Sequence, residues 1–382
     1  MKILTLDIGT GTQDIFLFDS QLDPENCLKM VMPSPTMQVH RRLLEATRRR
    51  QAVLLTGVIM GGGPSQWAVE DHLRAGLPVY ATPQAARSFN DDLDVVKEMG
   101  VILVSEEEAN RLPDSITRLE LKDFDFPAVT RAFASFGVAL DALDAVAIAV
   151  FDHGDAPPGI SDRKFRFEYL DRRIRMENRL SAFAYRVEDI PPILTRMQAV
   201  AASARGLDAP LVVMDTAPAA ILGATYDPQV AARQRVLIAN IGNFHTLAFR
   251  LGPAGIEGVF EHHTGLLDRP KLERLLLSLA DGSLKDEEVF GDQGHGALIY
   301  NNPVPLSLGG DDFGVAVTGP RRSLVKGSLV FKPYFAVPFG DMMIAGNIGL
   351  LSAIADLLPH LRDLVQAWLG GNGGLPPWEK RD

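Results

Sequence analysis

The stretch KILTLDIGTGTQDIFLFD, residues 2–19, decides the predicted fold of this chain. Mostly apolar residues run from 3 to 8, break at a glycine-threonine turn and resume from 15 to 18, which predicts a β-hairpin. Gly9 and Gly11 lack side chains, so the backbone N–H groups of the turn can approach an anion closely. The turn therefore suits a nucleotide phosphate, although the same pattern also occurs in a hairpin whose polar residues only shape the turn.

Three polar side chains in this hairpin fit phosphate chemistry. Thr10 and Thr12 add hydroxyl donors to the turn. Asp7, at the end of the first strand, is predicted to bind Mg²⁺ beside the phosphates, through water, because Mg²⁺ gives up its hydration shell reluctantly.

Length and charge exclude several classes of protein. The 382 residues allow two or three domains, each with its own core. A formal net charge of -10 gives no general attraction to nucleic acid or to an anionic membrane. We therefore expect a small-molecule ligand and partner, held at a locally built site, and the sequence leaves the oligomeric state open.

The cysteine count and the apolar stretches bound the cellular context. Cys27 is the only cysteine, so this chain forms no internal disulfide and no all-cysteine iron–sulfur site. The longest largely apolar stretch, residues 342–355, is too short to span a bilayer. The chain begins in a predicted strand rather than in a signal-peptide pattern, which predicts a cytoplasmic location.

A second hairpin repeats the pattern in the other half of the chain. Apolar residues 236–241 are followed by the turn 242–246 and by apolar residues 247–249, with Asn240 in the position of Asp7. Two such hairpins, one in each half, predict two related domains that face one nucleotide.

Two further segments suggest how a site is framed. The buried strand predicted for residues 142–151 ends in Asp152 and His153, and α/β proteins place sites just beyond such strand ends, although Asp152 also fits a loop cap. The small residues 217–224 let a helix pack closely, as in an interdomain hinge. The arginine-rich residues 161–186 also carry acidic neighbours, which favours a solvated helix or a domain interface.

Five segments, in order, resemble motifs of the actin, sugar-kinase and heat-shock ATPase superfamily. They correspond to the first phosphate motif, the first connecting helix, the second phosphate motif, the adenosine motif and the second connecting helix. The segments are residues 7–14, 215–224, 240–246, 318–322 and 341–355. The full chain also resembles a prokaryotic family within that superfamily, labelled pyruvate formate-lyase activating enzyme related.

The resemblance implies an α/β fold of the actin-like ATPase, ribonuclease-H-like type, with ATP and Mg²⁺ in a cleft between two related domains. The first domain is expected over residues 1–225 and the second over residues 226–369. Residues 370–382 are expected to form a flexible tail.

The resemblance also implies roles for individual residues. Asp7 would hold the metal, with Asp215 as a further candidate, and Asp152 would be the catalytic base. The phosphates would contact Gly9, Thr10, Gly11, Thr12 and Gln13 in the first turn and Gly242, Asn243, His245 and Thr246 in the second. The adenosine would contact Gly319, Pro320, Arg321 and Arg322.

Two features depart from the families that the chain resembles. Asn240 replaces the usual aspartate of the second phosphate motif, which is tolerated more easily by ATP binding than by fast turnover. The label of the prokaryotic family implies radical S-adenosylmethionine chemistry, whose cluster needs three cysteines. Cys27 alone cannot supply them, so we reject that activity for this chain.

Histidines in short polar clusters suggest an alternative. His262, His263 and His295 are candidate ligands of a transition metal such as Zn²⁺, Fe²⁺ or Mn²⁺, although a histidine by itself is more often a hydrogen-bonded structural residue than a ligand. Carbamoyl-transferring tRNA-modification enzymes of the same superfamily carry a histidine-bound metal. The sequence therefore leaves three hypotheses: an ATPase or small-metabolite kinase, a metal-dependent carbamoyl transferase or hydrolase, and a non-catalytic nucleotide sensor.

Overall fold

A computed structural model describes residues 1–310, 312–371 and 374–380 of the chain. In this part of the chain, none of the helices is long and apolar enough to cross a membrane. The β-strands are β1 (Lys2–Ile8), β2 (Thr12–Asp19), β3 (Leu28–Pro33), β4 (Val53–Gly57), β5 (Val79–Ala81), β6 (Ile102–Leu103), β7 (Thr117–Leu121), β8 (Ala145–Val150), β9 (Ala184–Arg186), β10 (Leu211–Asp215), β11 (Val236–Ile241), β12 (His245–Gly252), β13 (Gly255–His263), β14 (Gly296–Ile299), β15 (Val315–Thr318) and β16 (Pro333–Phe335).

The α-helices connect these strands and cover the sheets. They are α1 (Pro35–Arg48), α2 (Pro64–Arg74), α3 (Pro83–Ala86), α4 (Leu93–Glu98), α5 (Glu106–Arg111), α6 (Phe126–Ala134), α7 (Asp162–Met176), α8 (Thr195–Ser203), α9 (Thr216–Ala224), α10 (Pro228–Ala231), α11 (Arg269–Asp281), α12 (Asp286–Phe290), α13 (Ala345–Leu357) and α14 (Arg362–Leu369).

The first sheet has the strand order β3-β2-β1-β8-β10-β9. Strands β1, β2 and β3 form an antiparallel meander, and β8 and β10 continue the sheet parallel to β1. An antiparallel meander extended by parallel strands on the side of its first strand is the ribonuclease-H-like arrangement. The predicted hairpin of residues 2–19 thus forms two inner strands of this sheet, β2 and β1, between β3 and β8.

The second sheet repeats the first. Its order is β14-β13-β12-β11-β15-β16, in which β11, β12 and β13 form the meander and β15 runs parallel to β11. The chain therefore has the actin-like ATPase fold predicted from the sequence, and the repeated hairpins begin corresponding sheets.

A third, all-parallel sheet lies between β3 and β8, within the predicted first domain. Its order is β6-β5-β4-β7, and helices α1 to α4 pack on it in a separate apolar core. Residues 35–121 therefore form an inserted α/β unit, which was not predicted as separate from the first domain.

The two faces of β8 explain how helices reach the first sheet. Ala145, Ala147 and Ala149 face one apolar core, whereas Val146, Ile148 and Val150 face the other. The alanine face leaves room for a helix to approach the sheet, and α13 packs there. A strand buried on both faces has no polar position, as its sequence indicated.

The structure corrects the predicted boundary between the domains. Helices α13 and α14 lie in the apolar core of the first sheet, so residues 345–369 belong with the first half of the fold and not with the second. The predicted flexible tail is also partly ordered, because Leu375 bridges to Leu22 and Lys380 forms an ion pair with Asp19. Residues 372, 373, 381 and 382 of the tail lie outside the described residues.

Helices α9 and α13 cross at glycines. A Cβ atom on Gly223 would overlap the backbone oxygen of Ala345, and one on Gly349 would overlap that of Ala219. The helix backbones therefore touch directly, which confirms the close packing predicted for residues 217–224. This crossing joins the segments that connect the two halves of the fold.

We expect Gly349→Ala to destabilise the protein by about 1–3 kcal/mol, because the added methyl group must displace the backbone of α9. Helix propensity alone would favour alanine by about 1 kcal/mol, so the sign of the change separates the two effects. Denaturant unfolding measures this change in the free energy of unfolding. Gly265→Ala is the control, since a Cβ there meets no atom within 4 Å. Equal stability of Gly349→Ala and the parent chain would contradict the crossing.

Candidate nucleotide site and histidine cluster

A cleft of about 560 Å³ lies between the two halves and the inserted unit. Its volume falls within the range of about 300–1,000 Å³ that is usual for small-molecule sites. In the first turn, the N–H of Gly9 donates to the carbonyl oxygen of Thr12, which closes the loop. The predicted phosphate residues that line the cleft are Gly9, Thr10, Gly11 and Thr12, and, from the second turn, Gly242, Asn243 and His245.

The two glycine turns face each other across the cleft. A Cβ atom on Gly11 would lie 2.6 Å from Nδ2 of Asn243, so a larger residue here would have to displace that amide side chain. The loops of both predicted domains therefore meet at one place.

Two carboxylates lie side by side at this place. Asp7 and Asp14 are directly opposite in the hairpin register, and Asp7 accepts a 2.5 Å hydrogen bond from Thr216 Oγ1. Oδ1 of Asp14 is buried without a hydrogen-bond partner among the described residues. Burial raises the pKa of Asp7 to about 6 and that of Asp14 to about 8. Asp14 was not among the predicted metal ligands, although pairing across the hairpin places it beside Asp7.

The adenosine segment is only partly turned toward the cleft. Gly319 and Pro320 line it. In the described part of the chain, Arg321 and Arg322 do not line the cleft. The backbone N–H of Arg321 donates to the carbonyl oxygen of Ile241. The Arg322 guanidinium lies 5.4 Å from the centre of the Phe335 ring. Both arginines therefore lie outside the lining of the cleft, and their contacts with adenosine stay a prediction.

Three other predicted residues also point away from the cleft. The side chain of Gln13 donates to the carbonyl oxygen of Pro33, and Thr246 is buried with its hydroxyl 2.9 Å from that of Thr264. Asp215 caps α9 through the N–H of Ala217 and pairs with Arg166. These side chains support the site from behind.

Asp152 lines the cleft, but its carboxylate is engaged on both sides. Its two oxygens accept 2.9 Å hydrogen bonds from the N–H groups of Gly154 and Met197. Asp152 therefore fixes the turn after β8 and the start of α8. Burial raises the pKa of Asp152. Its role as a base remains a prediction.

A buried arginine joins both halves below the cleft. Arg166, on α7, bonds Asp215 through Nη1 at 2.6 Å and Glu261 through Nε at 2.9 Å. Its guanidinium also lies 3.8 Å from the centre of the Phe151 ring. Among the many charges of α7, nothing in the sequence distinguished this arginine from its solvated neighbours.

The histidines gather at the same end of the cleft. Ring nitrogens of His153, His245 and His295 all lie within 4.8 Å of one another. Burial lowers the pKa of His153 to about 3 and also lowers those of His245 and His295, so all three rings are neutral near pH 7.

The metal-site alternative therefore needs a different set of histidines. His262 is directed elsewhere, because its ring nitrogens lie 3.1 Å from Asp292 Oδ2 and from the carbonyl oxygen of His263. His263 is only partly buried and stands outside the trio. Of the three predicted ligands, only His295 belongs to it, together with His245 and the unpredicted His153.

The strand order and the cleft define the class of this protein, an actin-like ATPase fold with an inserted α/β unit. Residues 60–324 match the model of a family described as a candidate pyruvate formate-lyase activating enzyme, DUF1786, and the chain belongs to that family. A search of curated protein sequences returned no match.

Solved structures with similar coordinates share little sequence with this chain. Ethanolamine utilization protein EutJ from Carboxydothermus hydrogenoformans is 12% identical, with 92% of this chain and 89% of that chain covered and a TM-score of 0.32. The activator of the 2-hydroxyisocaproyl-CoA dehydratase from Clostridium difficile, with bound ADPNP, is 9% identical, with 98% and 100% covered and a TM-score of 0.33. The Aquifex aeolicus PPX-GPPA enzyme is 10% identical, with 84% and 68% covered and a TM-score of 0.23. The fold assignment rests on the strand order of this chain.

We expect Arg166→Met to destabilise the protein by about 3–5 kcal/mol, because it leaves two buried carboxylates without their cation. Arg175→Met is the control: Arg175 lies on the same helix, is exposed and pairs with Asp171, so its loss should leave the free energy of unfolding nearly unchanged. Urea unfolding monitored by fluorescence compares the two variants. Similar losses in both would show that the buried ion cluster contributes no more than a surface pair.

Proposed function

We propose that the cleft binds ATP together with Mg²⁺, and that the protein hydrolyses ATP or transfers its terminal phosphoryl group to a small metabolite. The observation that carries this proposal is the meeting of the two glycine turns, Gly11 against Asn243, beside Asp7 and Asp14.

The two turns offer donors suited to phosphate oxygens. Both come from the ends of central strands, and both expose backbone at the cleft. Thr10 and Thr12 add hydroxyl groups from the first turn, and Asn243 adds a side-chain amide from the second. Because the protein carries a net charge of -10, such local donors are what would hold a polyphosphate.

The carboxylates fit a divalent cation. Asp7 and Asp14 are hard oxygen ligands, and the buried Oδ1 of Asp14 has no partner among the described residues. Space for them depends on α13, because a Cβ on Gly346 would overlap the Asp7 carboxylate. When bound, Mg²⁺ would neutralise part of the phosphate charge, and the residues around it would position the reacting groups.

The inserted unit reaches across the cleft to the second turn. Trp67 of this unit stacks on Phe244 of the second turn, with ring centres 5.7 Å apart. Residues 61–63 and 88–91 of the unit line the cleft opposite the turns. An acceptor molecule would therefore contact the inserted unit, and closure of that unit would exclude water from it.

Calorimetric titration with Mg-ATP tests the binding site. We expect Asp7→Asn and Gly346→Ala each to weaken Mg-ATP binding by at least about 10-fold, an effect of 1.4 kcal/mol or more. Asp7→Asn removes the charge that would face the metal, and Gly346→Ala displaces the same carboxylate. Gly265→Ala, with open space around its Cβ, should bind as the parent chain does. No saturable binding to the parent chain would refute the proposed function.

Turnover separates catalysis from binding. If Asp152 is the base, Asp152→Asn should retain Mg-ATP binding and lose phosphate release by a factor of about 100 or more. Release of inorganic phosphate, with and without pooled metabolites, measures this loss. Unchanged turnover in a folded Asp152→Asn variant would restrict Asp152 to holding the loop and α8.

A further inference from the structure

The histidine trio has nitrogen atoms that lack partners. Nε2 of His245 and both ring nitrogens of His295 are buried without a hydrogen bond among the described residues. Nδ1 of His295 lies 3.2 Å from Glu261 Oε1, but the two groups do not have hydrogen-bond geometry. Buried polar groups without partners are costly and call for a ligand or a functional explanation.

The geometry points to a site for one divalent transition-metal ion, of the zinc type, bound by His153, His245 and His295. A four-coordinate ion with metal–nitrogen bonds of about 2.0–2.1 Å separates its nitrogen ligands by roughly 3.4 Å. The three nitrogens lie within 4.8 Å of one another, so small ring movements bring them to an ion. Neutral imidazoles suit such an ion.

Neighbouring groups orient the ligands. Glu261, beside Nδ1 of His295, is held from its other oxygen by Arg166. A carboxylate behind a metal-bound imidazole fixes its ring and leaves Nε2 for the ion. On the other side, the Phe151 ring stacks on His245 with centres 4.2 Å apart and planes 8° apart.

Nearby cations do not oppose a metal. Arg166 is paired with two carboxylates, and the Phe151 ring lies against both its guanidinium and the ring of His245. Arg196, which borders the same end of the cleft, is paired with Asp123 at 2.7 Å. Both arginines near the trio are therefore paired, with three carboxylates between them, and neither leaves an unpaired positive charge against an ion.

The ligands come from both halves of the fold. His153 follows β8 of the first sheet, whereas His245 begins β12 and His295 precedes β14 of the second. An ion would therefore link the two halves at the floor of the cleft. His153 and His245 line the cleft, and His295 is buried behind them, so the open coordination position faces the cleft. That position would take water or an oxygen donor of a small substrate.

Titration with Co²⁺ tests the site in the full chain after removal of metals with a chelator. We expect one Co²⁺ per chain, displaced by Zn²⁺, with visible absorption typical of a four-coordinate nitrogen site. Adding azide should change this absorption, because one coordination position is open. The site does not depend on the nucleotide proposal, since this titration contains no nucleotide.

Variants assign the ligands. His153→Gln, His245→Gln and His295→Gln should each weaken Co²⁺ binding by about 100-fold or more, since loss of an outer partner alone costs about 10–100-fold. His263→Gln, at a neighbouring histidine outside the trio, should bind as the parent chain does. Loss of binding in His263→Gln but not in His295→Gln would overturn the assignment.

Two further results decide the proposal even if a variant fails to fold. The absence of Co²⁺ binding below millimolar concentration in the parent chain overturns the site. Hydrogen exchange tests the link between the halves, because a bound ion should slow exchange at both residues 151–155 and residues 293–297. Slowing in only one of these segments overturns the bridging role.

Discussion

The guanidinium of Arg166 is the interaction on which the interior of this protein depends. It bonds Asp215 at the end of β10 in the first sheet and Glu261 in β13 of the second sheet. It also donates to the carbonyl oxygen of Asp152. A buried cation of this kind is stable only while its carboxylates stay in place, and the carboxylates are stable only while it stays. The two halves of the fold are therefore held in one arrangement at the floor of the cleft.

Duplication of one meander explains the position of the cleft. Each half begins with a hairpin whose turn contains glycine, and the two turns meet where Gly11 faces Asn243. Helices α9 and α13 cross at Gly223 and Gly349, where no side chain separates the two helix backbones. Such a crossing allows small sliding movements and little else, so relative movement of the halves must be modest or must occur by shear.

The family label and the chemistry of the interior lead in different directions. The single cysteine, Cys27, is buried in the core of the first sheet. One thiol is too few to hold an iron–sulfur cluster within this chain. The groups that do converge are oxygen donors at Asp7 and Asp14 and imidazoles at His153, His245 and His295. Oxygen ligands suit Mg²⁺ and imidazoles suit transition metals, so the two proposed ions need not compete for one place.

The sequence alone determined what depends on near neighbours along the chain. Both hairpins, their glycine turns, the place of Asp7 and the close-packing segment 217–224 follow from alternation and residue size. Tertiary structure decided the rest, because it joins distant residues: Arg166 and Glu261 are 95 positions apart, and His153 meets His295 from another sheet. It also turned Gln13 and Thr246 away from the cleft and placed α13 in the first half. Which polar residues share a buried space is set by the packing of sheets, and no local pattern records it.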